Sequence, residues 1–177
     1  RSKRSGWKID RLNEGKNPIG GEEPGLDELL QRVHQKGSFK VEDNYESVKN
    51  ADAVLIDVQT PTDEDHVPRY ESLKEVSRKI ASLIKPGALV TIESTVAPGT
   101  TKHMVKPILE EGSGMKAGED FYLAFCYERV MVGRLLYNIT DLPRIVGGIN
   151  QASTQKALDL YRNIVKAPLH PTDSMTA

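Results

Sequence analysis

The chain has 177 residues, which suits one domain, or one domain and the edge of a second. Its net charge of −1 gives no basic surplus for nucleic-acid binding, and no apolar run approaches the ~20 residues that span a bilayer. A single cysteine excludes an internal disulfide and fits a reducing compartment. We therefore expect a cytoplasmic protein that binds neither nucleic acid nor membranes. The absence of Met at Arg1 suggests that the natural chain begins earlier.

The hydrophobic pattern predicts helices and strands that alternate along the chain. Short β-branched apolar runs predict strands, and apolar residues three and four positions apart predict helices. In chain order the predicted elements are a helix at 7–12 that ends at Gly15, a helix from Pro24 to Gly37, a strand at 39–41, a helical turn at 45–49 capped by Asp43, a strand at 53–58, a helix at 73–84, a strand at 88–92, a helix at 101–110 interrupted by Pro107, strands at 121–125 and 144–146, and a helix at 155–164. This order predicts an α/β fold with a parallel sheet, and the run at 53–58 is typical of a strand buried on both faces.

Polar residues follow three of the predicted strands, where parallel α/β sheets bind their ligands. After the strand at 53–58, Thr60 supplies a hydroxyl and Pro61 a fixed turn, both suited to lining a dinucleotide. An ordinary strand-to-loop turn explains these two residues equally well.

The second of these segments, Glu93–Thr101, carries several hydroxyls and leads through Pro-Gly into a helix. Hydroxyls and free backbone N–H groups at a helix N-terminus bind phosphate or hold a water. Capping by Thr100 or Thr101 explains one hydroxyl, but the segment has four, so capping and ligand binding both remain open.

The third segment, Cys126–Arg134, places an acid and two arginines just past a predicted strand. Arginine pairs naturally with phosphates and carboxylates, and Glu128 is placed to order a catalytic water. The alternative is a surface ion pair, which contributes ~0–1 kcal/mol. Cys126 has apolar neighbours, which favours a buried small residue over a nucleophile.

Two familiar site patterns are absent from the sequence. No G-x-G-x-x-G occurs, so the phosphate-binding turn of a complete dinucleotide-binding fold is not found. The four histidines are scattered without ligand spacing, and we expect no metal site.

Taken together, six segments resemble the UDP-glucose/UDP-N-acetyl-mannosamine dehydrogenase family. They follow the family's order and spacing and cover nearly the whole chain, so the ordered set is more specific than any one member. The segments are Glu23–Leu30, Val58–Thr62, Glu93–Thr101, Glu128–Arg134, Pro143–Gly148 and His170–Asp173. Those at 128–131 and 144–148 are most similar to the branch that oxidises UDP-N-acetylhexosamines, above all UDP-N-acetyl-D-mannosamine.

The resemblance implies an NAD-dependent oxidation of the sugar C6 alcohol to a carboxylate, with two NAD+ consumed. The residues that would face NAD are Thr60, Pro61, Ser94 and Thr95. Thr95 and Glu128 would position the water that hydrolyses a thioester intermediate. The residues that would lie near the UDP-sugar are Arg129, Val130, Met131 and Arg134.

The resemblance also implies a Rossmann-like domain that lacks its first strand and Gly-rich loop. These would precede Arg1, and the family's catalytic Cys, Lys and Asp would follow Ala177. We therefore assign residues 1–167 to a partial NAD-binding domain and 168–177 to the start of a linker, and we expect the whole protein to be a homo-oligomer.

Two departures from the family leave other functions open. Tyr127 and Val132 stand where the family usually has proline, and their loss would loosen the turn that aims Glu128. The alternatives are a UDP-glucose or UDP-N-acetylglucosamine dehydrogenase, or a non-catalytic binding or assembly fragment. In every case we expect the chain by itself to be inactive.

Overall fold

A computed structural model of the protein describes residues 6–173; Arg1 and Ala177, on which the expectations about flanking segments rest, lie outside this range. The elements are α1 (Gly6–Asn13), α2 (Leu26–Gln35), a 3₁₀ turn (Glu46–Asn50), β1 (Ala53–Ile56), α3 (Glu71–Ala81), β2 (Leu89–Ile92), a π-helical turn (Thr101–Val105), α4 (Lys106–Ser113), β3 (Tyr122–Phe125), α5 (Leu135–Asp141), β4 (Arg144–Gly148), α6 (Gln151–Tyr161) and β5 (Leu169–Thr172). They form two compact units. The first contains the described residues through Asn44 together with Arg129–Asp141, and the second contains Tyr45–Glu128 and the described residues from Leu142 onward.

The first unit is helical. Its α2 buries Leu26 and Leu30 and ends before Gly37, as the spacing predicts. The strand predicted at 39–41 is wrong. Among the described residues no strand pairs with it; instead, the Asn13 side chain accepts the N–H of Val41 at 2.8 Å and donates to its carbonyl at 2.9 Å.

The second unit is built on a five-stranded sheet in the order β1-β2-β3-β4-β5. Strands β1, β2 and β3 are parallel, so the row Ile56, Ile92 and Phe125 brings all three carboxyl ends to one edge. The sheet is mostly parallel, as predicted, with one departure: β4 runs antiparallel to β3. The chain leaves β3 at the carboxyl end of the parallel strands and enters β4 at that same end of the sheet, so the two strands run in opposite directions.

The last strand includes residues that the sequence assigns to the start of a linker. Leu169–Thr172 form β5, which pairs with β4 in parallel through α6 as the crossover. Residues 174–177 lie outside the described range.

Helices cover both faces of this sheet. On one face, α3 and α4 pack against Ile56, Val90 and Leu123. On the other, α6 packs against Leu89 and Val146. The all-buried β2 thus lies at the centre of the core, as its continuous apolar run predicts.

Strand β1 forms one edge of the sheet in the described part of the chain, where its only neighbour is β2. The prediction of a strand is confirmed, but burial on both faces is wrong. Ile56 is 2% exposed beneath α3, whereas Leu55 is 45% exposed on the opposite face.

Helix starts follow local chemistry that the periodicity does not reveal. Asn150 caps α6 by accepting the N–H of Ser153 at 2.9 Å, so this helix begins four residues before the predicted start. The predicted cap of the 3₁₀ turn, Asp43, is wrong, because Tyr45 occupies that position without a side-chain cap. Pro107 lies in the first turn of α4, where its missing N–H is tolerated.

Candidate functional site at the carboxyl edge of the sheet

The ends of β1 and β2 are joined by the side chain of Ser94. Its hydroxyl accepts the N–H of Val58 and donates to the carbonyl of Val58, both at 2.8 Å. Ser94 is 3% exposed, so its hydroxyl is committed to this main-chain contact. The residue therefore fixes the position of the segment that leads to Thr60.

We call the residues just past the carboxyl end of β1, β2 or β3 the tip of that strand. Thr60, at the tip of β1, contacts the tip of β2. Its hydroxyl donates to the carbonyl of Thr95 at 2.7 Å, while the Thr95 side chain remains exposed. Pro61 follows at the exposed surface. Of Thr60, Ser94 and Thr95, only Thr95 is exposed, and the other two hold the backbone beside it.

The loop after Thr95 is a tight turn into a helix. Pro98 and Gly99 occupy its centre, Gly99 has a φ of +85°, and the N–H of Thr100 donates to the carbonyl of Ala97 at 3.1 Å. A positive φ at this position favours glycine. The phenol of Tyr70 accepts the N–H of Ala97 at 2.9 Å and holds the turn against α3.

Glu128 lies at the third tip. Its N–H donates to the carbonyl of Glu93 at 2.9 Å, which places it beside the end of β2. Burial, and then the nearby carboxylates of Asp57 and Glu93, raise the pKa of Glu128, while Arg144 opposes them. Such a carboxylate is easier to protonate than an ordinary one, which suits a group that accepts a proton from water.

A buried charged cluster lies at the same edge, on the face covered by α6. Arg144 and Glu93 are 4% and 6% exposed, and Arg144 Nη1 lies 3.3 Å from Glu93 Oε2. The phenol of Tyr161 donates to Glu93 Oε1 at 2.8 Å and lies 3.1 Å from the hydroxyl of Thr91. The sequence did not predict this cluster. The only available signal was one charged residue beside each of two apolar strands: Glu93 directly after β2 and Arg144 at the start of β4.

Cys126 borders this cluster as a buried thiol. It is fully buried, and burial raises its pKa, although Arg144 Nη1 approaches Sγ at 3.9 Å. A protonated, inaccessible sulfur is a poor nucleophile. This agrees with the expectation that Cys126 is a packing residue.

The predicted sugar-contacting residues belong to the first unit. There the buried carboxylate of Glu23 accepts the N–H groups of Gly133 and Leu135, at 2.5 and 2.9 Å, and so fixes the backbone on both sides of Arg134. Arg129 and Met131 are exposed and Val130 is half-buried. Arg134 helps to line a cavity of about 230 Å³, below the ~300–1,000 Å³ usual for a ligand pocket.

The three tips therefore meet in the second unit, as expected, whereas the predicted sugar contacts lie in the first. Among residues 6–173 no group of three or more His, Cys, Asp or Glu side chains is placed to hold a metal ion. No helix in that range is long and apolar enough to cross a membrane.

The sequence profile of the UDP-glucose/GDP-mannose dehydrogenase family, NAD binding domain, matches residues 4–165. The chain belongs to this family. Its fold is the family's Rossmann-like, mostly parallel sheet with flanking helices, and its cofactor is NAD.

Individual relatives cover almost all of the chain. It is 38% identical over 169 residues to UDP-N-acetyl-D-mannosamine dehydrogenase of Pyrococcus horikoshii, which covers 96% of the chain and 40% of the relative. It is 34% identical over 179 residues to GDP-mannose 6-dehydrogenase of Pseudomonas savastanoi pv. phaseolicola, covering 98% of the chain and 40% of the relative. Among solved structures, NDP-N-acetyl-D-galactosaminuronic acid dehydrogenase of Methanosarcina mazei Go1 is 47% identical with a TM-score of 0.93, covering 98% of this chain and 37% of that one. The chain thus spans about 40% of the length of its curated relatives.

The observed tips fit NAD. Carboxyl ends of three parallel strands, an exposed Thr95 hydroxyl and a glycine turn that opens a helix are the features with which such sheets hold a dinucleotide. When bound, the cofactor accepts hydride. The chain's own contribution is to hold these backbone and side-chain groups in place.

Proposed function

We propose that this chain is the NAD-binding part of a nucleotide-sugar 6-dehydrogenase that oxidises UDP-N-acetyl-D-mannosamine to its uronic acid. The observation that carries the proposal is the convergence of Thr60, Thr95 and Glu128 at neighbouring strand ends. Family membership supports the reaction class. The proposal places the protein in the cytoplasm, in the supply of sugar acids for polysaccharides, and as a homo-oligomer in its whole form.

In this proposal the residues at the sheet edge divide into two roles. Thr95 and Pro61 contact the cofactor, while Ser94 and Thr60 hold the backbone through which they do so. Glu128, together with Thr95, orients the water that attacks the acyl intermediate and accepts its proton. The raised pKa of Glu128 supports this use of the carboxylate.

The substrate assignment rests on the segment that begins at Glu128. Arg129 and Arg134 would pair with the phosphates or with the new carboxylate, since a guanidinium binds both in bidentate fashion. Val130 and Met131 would contact the sugar. The relatives carry names with UDP, GDP and unspecified nucleotides, so a UDP-glucose or UDP-N-acetylglucosamine substrate is the alternative within this class.

A second candidate is a non-catalytic binding or assembly fragment. Tyr127 and Val132 replace the expected prolines, and in the described part of the chain β1 pairs on one side only and so leaves an open sheet edge. Both observations favour weak cofactor binding by this chain alone.

Calorimetric titration of the chain with NAD+ tests the first proposal. We expect weak binding, with a Kd of roughly 0.1–1 mM, because the chain spans only about 40% of the length of its curated relatives. Thr95→Val removes the exposed hydroxyl and should weaken binding severalfold, whereas Glu111→Gln, on the exposed face of α4, should not. Submicromolar binding would contradict the expected weakness, and indifference to Thr95→Val would contradict the site.

Substrate class is tested separately by following NADH absorbance with UDP-N-acetyl-D-mannosamine, UDP-glucose and GDP-mannose. We expect no turnover by this chain alone. Sustained NADH formation would show that the chain is a complete enzyme.

A further inference from the structure

The buried cluster of Glu93, Arg144 and Tyr161 is not used by the proposed cofactor or sugar contacts. Removing a charge pair from water costs free energy that mutual attraction offsets only when geometry and hydrogen bonding are good. Here the Arg144–Glu93 contact is long, at 3.3 Å, and the Nε of Arg144 has no hydrogen-bond partner. Stability alone is therefore a weak explanation for a pair buried this deeply.

Two physical links join this cluster to Glu128. The first is a chain of hydrogen bonds through Glu93. Its carbonyl accepts the N–H of Glu128 at 2.9 Å, and its carboxylate accepts from Arg144 and Tyr161. The second is charge. Among the described residues, the charged groups that shift the pKa of Glu128 are Asp57 just past β1, Glu93 just past β2 and Arg144 on β4.

The remaining neighbours in the cluster contribute little charge. Burial raises the pKa of both Tyr161, on α6, and Cys126, after β3, so both stay protonated at neutral pH. Among the groups that shift the pKa of Glu128, Arg144 acts as a cation and is opposed by the carboxylates of Asp57 and Glu93.

We propose that Arg144 is a positioning residue for Glu128. It fixes the main chain at Glu128 by anchoring Glu93, and its charge opposes the effect of the two neighbouring acids on Glu128. The catalytic meaning of this role rests on the proposed function of Glu128, but the physical role requires neither cofactor nor turnover.

The electrostatic part of this proposal, the effect of the Arg144 charge on Glu128, is tested by NMR titration of the Glu128 carboxyl carbon in the whole chain. Arg144→Met removes the cation and should raise the pKa of Glu128, while Asp57→Asn removes a neighbouring acid and should lower it. Tyr161→Phe disturbs the cluster without changing its charge and should leave the titration unmoved. A folded Arg144→Met protein whose Glu128 titrates as in the wild type would overturn this part.

The positional part is tested by amide hydrogen exchange in Arg144→Lys, which keeps the charge and loses the guanidinium fork. We expect the Glu128 amide to exchange about fivefold faster or more, as for a contact weakened by ~1 kcal/mol. The reference is the Tyr122 amide, which donates to the carbonyl of Ala88 at 2.9 Å between the same two strands, away from Arg144. Unchanged Glu128 exchange relative to Tyr122 would overturn the positional part of the proposal, even if Arg144→Met fails to fold.

The same samples separate this inference from the proposed function. Titration with NAD+ reports on the cofactor site, whereas the Glu128 carbon and amide are read without cofactor. Failure to bind NAD+ in the wild type would count against the proposed function and leave the Arg144 result intact.

Discussion

At the scale of single residues, the hydroxyls of this sheet edge differ in what they do. Ser94 is buried and bonded to both main-chain groups of Val58, Thr60 is bonded to the carbonyl of Thr95, and only Thr95 presents its side chain at the surface. The sequence predicts that these hydroxyls all bind a ligand, but most of them form hydrogen bonds that hold the backbone in place. The residue available to a ligand depends on what the others hold in place.

Ser94→Ala tests this brace. The substitution leaves the half-buried N–H and carbonyl of Val58 without their partner, and an unsatisfied polar group costs about 1–3 kcal/mol when it is fully buried. We expect urea denaturation to show a loss of that size. Thr95→Ala is the matched control, because that side chain is exposed and its carbonyl is retained, and it should change stability by less than about 0.5 kcal/mol. Equal losses in the two variants would show that Ser94 does not brace the tip.

At the scale of secondary structure, the sequence predicts where strands lie better than it predicts their direction or their contacts with one another. The apolar runs locate β1, β2 and β3 because burial beneath α3 and α4 requires continuous hydrophobic residues. They do not reveal that β4 runs antiparallel, because strand direction depends on where the connection returns. They also miss the ion pair of Glu93 and Arg144, whose partners are 51 residues apart and meet only through the sheet.

The junction between β4 and α6 depends on one glycine. A Cβ added to Gly148 would lie 2.3 Å from the backbone nitrogen of Thr154 and 2.7 Å from the carbonyl carbon of Ser153, distances that no relaxed structure keeps. We expect Gly148→Ala to lower the free energy of unfolding by about 1–3 kcal/mol or more, because α6 must move off the sheet.

Thermal unfolding followed by circular dichroism measures this effect. Gly20→Ala is a suitable control, since nothing lies within 4 Å of its added Cβ and its φ is outside the left-handed region. An unchanged midpoint for Gly148→Ala would mean that α6 packs less closely on β4 than the structure indicates.

At the scale of the whole chain, β1 affects both ligand binding and self-association. The strand carries the tip with Thr60 at its carboxyl end, yet in the described residues it pairs on one side only. Its Leu55 lies in the same row as the buried Thr91 and Ala124, but α6 packs over those and leaves Leu55 45% exposed. An unpaired edge with an apolar side chain is a template for association between chains.

Leu55→Lys should therefore reduce self-association of the chain while leaving its stability nearly unchanged, because a charged side chain on an edge strand blocks pairing with another edge. Ile145→Lys is the matched control: Ile145 is 42% exposed, but β4 is paired on both sides. Sedimentation velocity across a concentration series distinguishes the two causes of association. If the open strand edge is responsible, only Leu55→Lys shifts the chain toward monomer. If exposed apolar area alone is responsible, both variants shift it equally, and the edge has no special role.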